Sequence, residues 1–202
     1  SPITNSTESV SNEDGSFMIS LASGIYNIYF EKYGWKPLTL YNQYFIEDLN
    51  IGTVIMETGY AQYVSGDVSG DWTSINDYYV TDNITIPEGQ SLNISSGVNI
   101  FFTGDYNLDV EGNIYALGSE SDPIYFTSNK PNPAPSDWGV IELHSDYNTF
   151  KYVNYEYANN GIEGEDGTGT VFENCTITQI PVYPEEGDDH GRWHCHGIEF
   201  DI

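Results

Sequence analysis

Residues 84–116 have the sequence ITIPEGQSLNISSGVNIFFTGDYNLDVEGNIYA, whose pattern of apolar residues predicts the fold. Short apolar pairs recur in it at i, i+2 spacing, which places both members of a pair on one side of a β-strand. Glycines separate many of the pairs, as expected for short strands joined by tight turns. The pairs are Ile84/Ile86, Leu92/Ile94, Ile100/Phe102, Leu108/Val110, Ile114/Ala116 and, just beyond, Ile124/Phe126.

The distance along the chain between these pairs also repeats. The intervals are 24 residues from Ile84 to Leu108, 22 from Leu92 to Ile114 and 24 from Ile100 to Ile124. Such an interval is the length of a coil made of three short strands, and a period of about 20–50 residues is typical of stacked repeats. We therefore predict an all-β solenoid whose successive coils stack through these apolar pairs.

The segment Asn129–Pro135 interrupts the pattern with three prolines. Proline cannot donate a hydrogen bond to a central strand, so this segment is predicted to loop out between coils. The strand pattern then resumes at Trp138–Leu143, Phe150–Tyr157 and Val171–Ile177, which gives about six coils in all.

The N-terminal part of the chain has a different pattern. Asp14-Gly15 is a turn signal before the alternating Phe17–Leu21, and Tyr26–Phe30 and Val54–Met56 predict further strands. We predict a small antiparallel β-sandwich in residues 1–58, followed by the solenoid in residues 59–202.

The composition is strongly acidic, with 31 carboxylates against five basic residues and a formal charge of −26. This charge repels phosphate, so nucleic acid and anionic membranes are not expected as partners. No apolar run is long enough to span a bilayer. Four Asn-x-Ser/Thr sequons fit a secreted, glycosylated protein, and the candidate acceptors are Asn5, Asn83, Asn93 and Asn174.

Two resemblances add to this interpretation. The segments Ile84–Gly89, Leu92–Ile94, Glu111–Gly118, Asp122–Ser128 and Phe172–Ile177 resemble the right-handed parallel β-helix of the pectin-lyase-like superfamily. The resemblance covers roughly two thirds of the chain and specifies architecture better than chemistry, because that superfamily includes lyases, hydrolases, adhesins and surface-layer modules.

The N-terminal part resembles the carboxypeptidase-regulatory-like β-sandwich found on surface proteins. The similar segments are Asp14–Phe17, Gly24–Tyr26, Tyr33–Pro37 and Ile51–Val54. The first strand of that family has no counterpart in these segments, which predicts either a fragment of something longer or an edge completed by another molecule. Together the two resemblances imply an archaeal or bacterial cell-surface, sheath or S-layer-associated protein.

Two groups of residues are candidate metal ligands. In an extended strand, His194 and His196 would project to one face and could bind Zn²⁺ or Cu²⁺ together with His190 or a neighbouring carboxylate. Two acidic loops could instead bind Ca²⁺, although solvated surface loops and surface histidines remain the alternative. The acidic candidates are Glu163, Glu165, Asp166, Asp188 and Asp189.

Cys175 and Cys195 are the two cysteines of the chain. In an exported protein such a pair predicts a disulfide, which would stabilise the last coils by roughly 3 kcal/mol. An intermolecular disulfide and a metal site that uses Cys195 are the alternatives. A catalytic thiol is not expected, because no positioned base accompanies either cysteine.

The predicted function is structural: a non-catalytic, self-assembling subunit of an extracellular layer, sheath or filament. Its partners would be copies of itself, joined at exposed strand edges, since unpaired strand edges readily pair with another chain. The alternative is a carbohydrate-binding or polysaccharide-cleaving β-helix. Lyase chemistry would use basic residues, yet Lys130, Lys151 and Arg192 are isolated from one another.

Overall fold

A computed structural model describes residues 8–32, 34–46, 50–165, 169–181 and 198–201. The chain divides into two compact units, one formed by Ser1–Glu31 with Leu38–Met56 and the other by Lys32–Pro37 with Glu57–Ile202. All of the regular structure in the described residues is β-strand.

The first unit contains an antiparallel pair, β1 (Gly24–Phe30) and β2 (Leu38–Phe45). The Tyr26 and Phe45 rings meet edge to face across this pair, with centroids 5.6 Å apart. Residues 16–22 and 51–57 form no strand. The predicted sandwich is therefore not confirmed: the described residues of this unit form a single two-stranded sheet. Phe17 still packs here, with its ring 5.4 Å from that of Phe30.

The second unit is a parallel β-helix with three walls. The first wall contains β3 (Tyr60–Asp67), the first half of β5 (Asn76–Ile86), β7 (Asn99–Phe102), β10 (Ile124–Ser128), β13 (Val153–Glu156) and β16 (Thr176–Thr178). The second wall contains the end of β3, the second half of β5, β8 (Leu108–Val110), β11 (Ile141–Leu143), β14 (Ile162–Glu165) and β17 (Ile198–Asp201). The third wall contains β4 (Gly70–Trp72), β6 (Ser91–Ser95), β9 (Asn113–Leu117), β12 (Thr149–Lys151) and β15 (Val171–Glu173).

The described strands make five three-walled coils and two strands of a sixth, so the predicted parallel β-helix of about six coils is confirmed. The β5 strand belongs to two walls because its first half pairs with β7 and its second half with β8.

The core is made of the inward side chains of all three walls. Ile84 aligns with Leu108, as the 24-residue interval predicted, and Leu108 aligns with Ile141. All three side chains are fully buried. Each such side chain contributes about 1.5–3 kcal/mol relative to an exposed one. Ile100 aligns with Phe126 rather than with Ile124, so one step of the repeat is two residues longer than the apolar pairs suggested.

The proline-containing segment leaves the coil as predicted, because residues 129–137 form no strand and residues 131–136 are exposed. Asp137 anchors this loop from a buried position. Its carboxylate accepts hydrogen bonds from Ser128 Oγ at 2.7 Å, Lys130 Nζ at 2.7 Å and the Ala134 amide at 3.0 Å.

Candidate functional site

The outer face of the first wall carries a column of aromatic rings. Tyr63, Tyr79 and Phe101 are register partners on β3, β5 and β7, and we call these three residues the aromatic column. Their ring centroids lie 5.4 Å and 5.2 Å apart. Strand alternation forces these rings outward, because their neighbours Tyr78 and Val80 fill the core.

The aromatic column is partly open to solvent. The Tyr63 side chain is 67% exposed, whereas Tyr79 and Phe101 are half-buried. The next position in register is Thr127, whose Oγ1 donates to Glu156 Oε2 at 3.3 Å. The wall thus changes from an aromatic to a polar surface between the third and fourth coils.

The outer face of the second wall brings together two carboxylates and an imidazole. Asp109 on β8 and Glu142 on β11 are register partners, and His144 follows two residues after Glu142. One ligand atom from each of the three lies within 4.8 Å of the others, and His144 Nε2 is 3.6 Å from Glu142 Oε2. We call these residues the Asp109–Glu142–His144 group.

Asn107 lies beside this group and fixes part of its geometry. Its Nδ2 donates to Glu142 Oε1 at 3.4 Å, while its Oδ1 accepts from the Val140 amide at 3.2 Å. Gly139 leaves the space that this arrangement needs, because a Cβ there would collide with Asn107 Oδ1. On the other side, Glu163 is the register partner of Glu142 and accepts from Asn160 Nδ2.

Glu163 and Glu165 do not lie in the predicted acidic loop: both are on strand β14, which pairs with β11 and β17. The other predicted metal ligands fall outside the described residues. These are Asp166, Asp188, Asp189, His190, His194 and His196. The sequence did not point to Asp109, Glu142 and His144, because their only signal is outward placement on predicted strands.

Cys175 carries a free, half-buried thiol. Its Sγ donates to the Phe150 carbonyl at 3.3 Å. Burial raises the pKa of Cys175 above its usual value, which disfavours the nucleophilic thiolate. Because this thiol is free, the predicted disulfide with Cys195, which lies outside the described residues, is not confirmed.

Three of the four predicted glycosylation sites can be placed. Asn83, Asn93 and Asn174 are all exposed, whereas Asn5 lies outside the described residues. Asn83 Oδ1 accepts from the Asn107 amide at 2.9 Å, and Asn93 Nδ2 donates to Asp71 at 2.8 Å. A glycan on Asn93 would therefore compete with a coil-to-coil hydrogen bond.

Three parallel walls wound around one apolar core define a parallel β-helix protein. A family model described as the pectate-lyase-like β-helix domain matches residues 66–171, about half of the 202 residues, and the chain belongs to this family. Searches of curated proteins and of solved structures found no match. Across the described residues, we find no helix with the length and apolarity required to cross a bilayer.

Proposed function

We propose that this chain is a non-catalytic structural module of an extracellular layer, sheath or filament, and that copies of it associate laterally through the aromatic column. The observation that carries the proposal is the in-register stack of Tyr63, Tyr79 and Phe101 on an outer wall. Exposed apolar strips on a soluble surface are typical of protein contacts.

The geometry of the rings favours a protein contact over a sugar contact. Sugars bind aromatic side chains mainly through the ring face, and Tyr79 has a neighbouring ring on each side, at 5.4 Å and 5.2 Å. Ring edges pack well against other aromatic side chains. A second copy of the same column can offer such side chains in a self-complementary, twofold arrangement.

Contacts between coils on the outer surface support the proposal of a rigid module. Side chains on successive coils bind one another, as in Asn99 Nδ2 to Asp77 at 3.1 Å and Lys151 Nζ to Glu173 at 2.5 Å. These contacts tie adjacent coils together outside the core. A stiff body is what a repeated building block needs.

Charge sets the conditions under which copies can meet. Two chains with a formal charge of −26 repel each other over roughly the Debye length, about 8 Å at physiological salt. A three-ring column is small compared with the ~1,200 Å² of a stable interface, so a single contact should be weak. We therefore expect association to strengthen with salt and with the number of copies in contact.

Sedimentation velocity over a concentration series, at low and high salt, tests this proposal. We expect a concentration-dependent shift to dimers and larger species that Tyr63→Ser weakens. Tyr147→Ser is the matched control, because Tyr147 is 64% exposed but lies outside the column. A protein that stays monomeric at millimolar concentration in high salt, or that responds equally to both substitutions, would refute the proposal.

The spacing of the carboxylates argues against an inverting glycosidase only, because retaining enzymes place their carboxyl groups about 5–5.5 Å apart. The Asp109 and Glu142 oxygens approach within 4.8 Å, which is closer than the ~6.5–9.5 Å between the carboxyl groups of inverting glycosidases. That spacing leaves no room for the attacking water that an inverting mechanism needs. Incubation with a panel of polysaccharides, followed by a reducing-end assay, should show no bond cleavage.

Binding of a neutral glycan is the second candidate function. The Tyr63 ring ends the described column and is 67% exposed, so a sugar could cover its free face. A glycan array separates the two candidates: selective binding that Tyr63→Ser abolishes, in a protein that remains monomeric, would favour the glycan.

Export and glycosylation are part of the same proposal. The exposed sequons at Asn83, Asn93 and Asn174 support it. Mass spectrometry of the protein from its native source would detect glycopeptides at these positions if the protein is exported and modified, and unmodified peptides at all of them would count against glycosylation.

A further inference from the structure

We propose that Asp109, Glu142 and His144 form a binding site for one first-row divalent transition-metal ion, with Zn²⁺ as the reference ion. This inference goes beyond the structural function and does not depend on it. It concerns residues on β8 and β11 and not the histidines near the C-terminus.

The backbone builds this group and holds it in place. Asp109 and Glu142 face outward from adjacent coils, and their strand neighbours Leu108, Val110, Ile141 and Leu143 are fully buried. The core therefore fixes the backbone positions from which the two carboxylates project. His144 joins them because it lies two residues after Glu142 on the same outward side.

Electrostatics adds a second reason for a cation here. Two carboxylates directly opposite each other on paired strands repel, and Glu163 follows next in register. The salt bridges of Lys36, Lys130 and Lys151 are made to other acids: Asp77, Asp137 and Glu173. Lys32, also among the described residues, lies over the Trp35 ring. These lysines do not offset the repulsion between the Asp109 and Glu142 carboxylates, whereas a bound divalent ion would.

The ligand types favour a transition metal over Ca²⁺. Imidazole nitrogen suits Zn²⁺ and its neighbours in the first row, whereas Ca²⁺ takes oxygen ligands. Zinc binds His nitrogen and carboxylate oxygen at about 2.0–2.2 Å, so its ligand atoms lie about 3.3–3.5 Å from one another. The 3.6 Å between His144 Nε2 and Glu142 Oε2 is close to that spacing.

Three protein ligands leave a fourth position that water would fill. Asn107 has the role of an outer-shell partner, because it binds Glu142 Oε1 and leaves Oε2, the oxygen facing His144, for the ion. Such partners orient the ligands and typically change metal affinity about 10- to 100-fold when removed.

The experiment must exclude the other three histidines and Cys195. The full chain carrying His190→Asn, His194→Asn, Cys195→Ser and His196→Asn keeps His144 as its single histidine. Zinc chloride is added while the imidazole resonances of His144 are followed by NMR and the heat of binding is measured. We expect the His144 signals to shift to completion at one equivalent of Zn²⁺, while an equal concentration of Ca²⁺ leaves them unchanged.

Variants in the same background locate the ion. Asp109→Asn and Glu142→Gln keep the side-chain volume and should each weaken Zn²⁺ binding at least tenfold, and Asn107→Ala should weaken it about tenfold. Asp105→Asn, an exposed acid on the preceding loop, should leave binding unchanged. The proposal is wrong if the His144 signals do not respond to Zn²⁺, if Asp109→Asn and Glu142→Gln bind as tightly as the parent, or if Ca²⁺ gives the same response. Circular dichroism checks that each variant is folded.

Discussion

Lys36 and Asp77 form a buried ion pair, with Nζ and Oδ1 2.8 Å apart and about nine-tenths of each side chain covered. Asp77 lies on β5, and its Oδ1 also accepts a hydrogen bond from Asn99 Nδ2 on β7. Lys36 belongs to a short segment that pairs with the residues just before the β-helix. The Lys36 amide donates to the Glu57 carbonyl at 2.7 Å. The ion pair therefore fastens this segment to β5 in the second coil, and Asp77 links it in turn to Asn99 of β7 in the third.

Lys36→Met should destabilise the protein by about 3–5 kcal/mol, because it leaves the Asp77 carboxylate buried without its partner. The free energy of unfolding from urea titration measures this. Lys32→Met is the control: Lys32 is exposed, and its contact with the Trp35 ring should contribute no more than about 1 kcal/mol. Equally small losses of unfolding free energy in the two variants would show that the ion pair does not hold this segment in place.

Asn148→Ala should cost about 1–3 kcal/mol, because the side chain is fully buried and joins two coils. Its Oδ1 accepts from the Ile114 amide at 3.0 Å, and its Nδ2 donates to the Ser145 carbonyl at 2.7 Å. Both backbone groups would lose these partners in the variant. Asn93→Ala removes one exposed hydrogen bond and should stay within about 0.5 kcal/mol. Thermal and urea unfolding provide the comparison, and similar losses for both variants would contradict this role.

Asp137 should make stability depend on pH below about 4. Burial alone would raise the pKa of Asp137, but the hydrogen bonds from Lys130, Ser128 and Ala134 and the charge of Lys130 outweigh it, and the pKa lies below its usual value. The unfolded chain then binds the proton more readily than the folded one. The stabilisation is complete above the unfolded-state pKa of about 3.9 and is lost as the pH falls through the lower folded-state pKa.

Unfolding free energies at pH 6 and pH 3 test this linkage. Wild type should lose more stability than Asp137→Asn over this interval, and Asp105→Asn controls for the loss of one exposed carboxylate. An identical loss in wild type and Asp137→Asn would contradict the assignment.

The sequence was sufficient to predict the β-helix because its signal is local and repeated. Ile84, Leu92 and Ile100 each begin an i, i+2 pair, and alternation alone directs such pairs inward. The interval from Ile100 to Phe126 is longer than predicted. Apolar residues specify which face of a strand is buried, but they do not specify the length of the turns between strands. The N-terminal strands were over-predicted, since alternation at Phe17–Leu21 did not produce a strand.

The Asp109–Glu142–His144 group could not be predicted from intervals along the sequence. Asp109 and Glu142 are aligned by the register of β8 and β11, but the loop at residues 129–137 lies between them in the chain. This insertion breaks the interval of about two dozen residues that identified the core. The clustered histidines near the C-terminus gave a stronger sequence signal than the lone His144, which is placed beside two acids by coil stacking.

Photo-cross-linking from within the aromatic column shows whether copies of this protein meet there. The full chain with p-benzoylphenylalanine in place of Phe101 should give a covalent dimer on irradiation, joined through peptides of the first wall. The same group in place of Tyr147 should give little or none. Equal yields at the two positions, cross-links only to the edge strands β4 or β15, or a protein that stays monomeric at millimolar concentration would contradict association through the column.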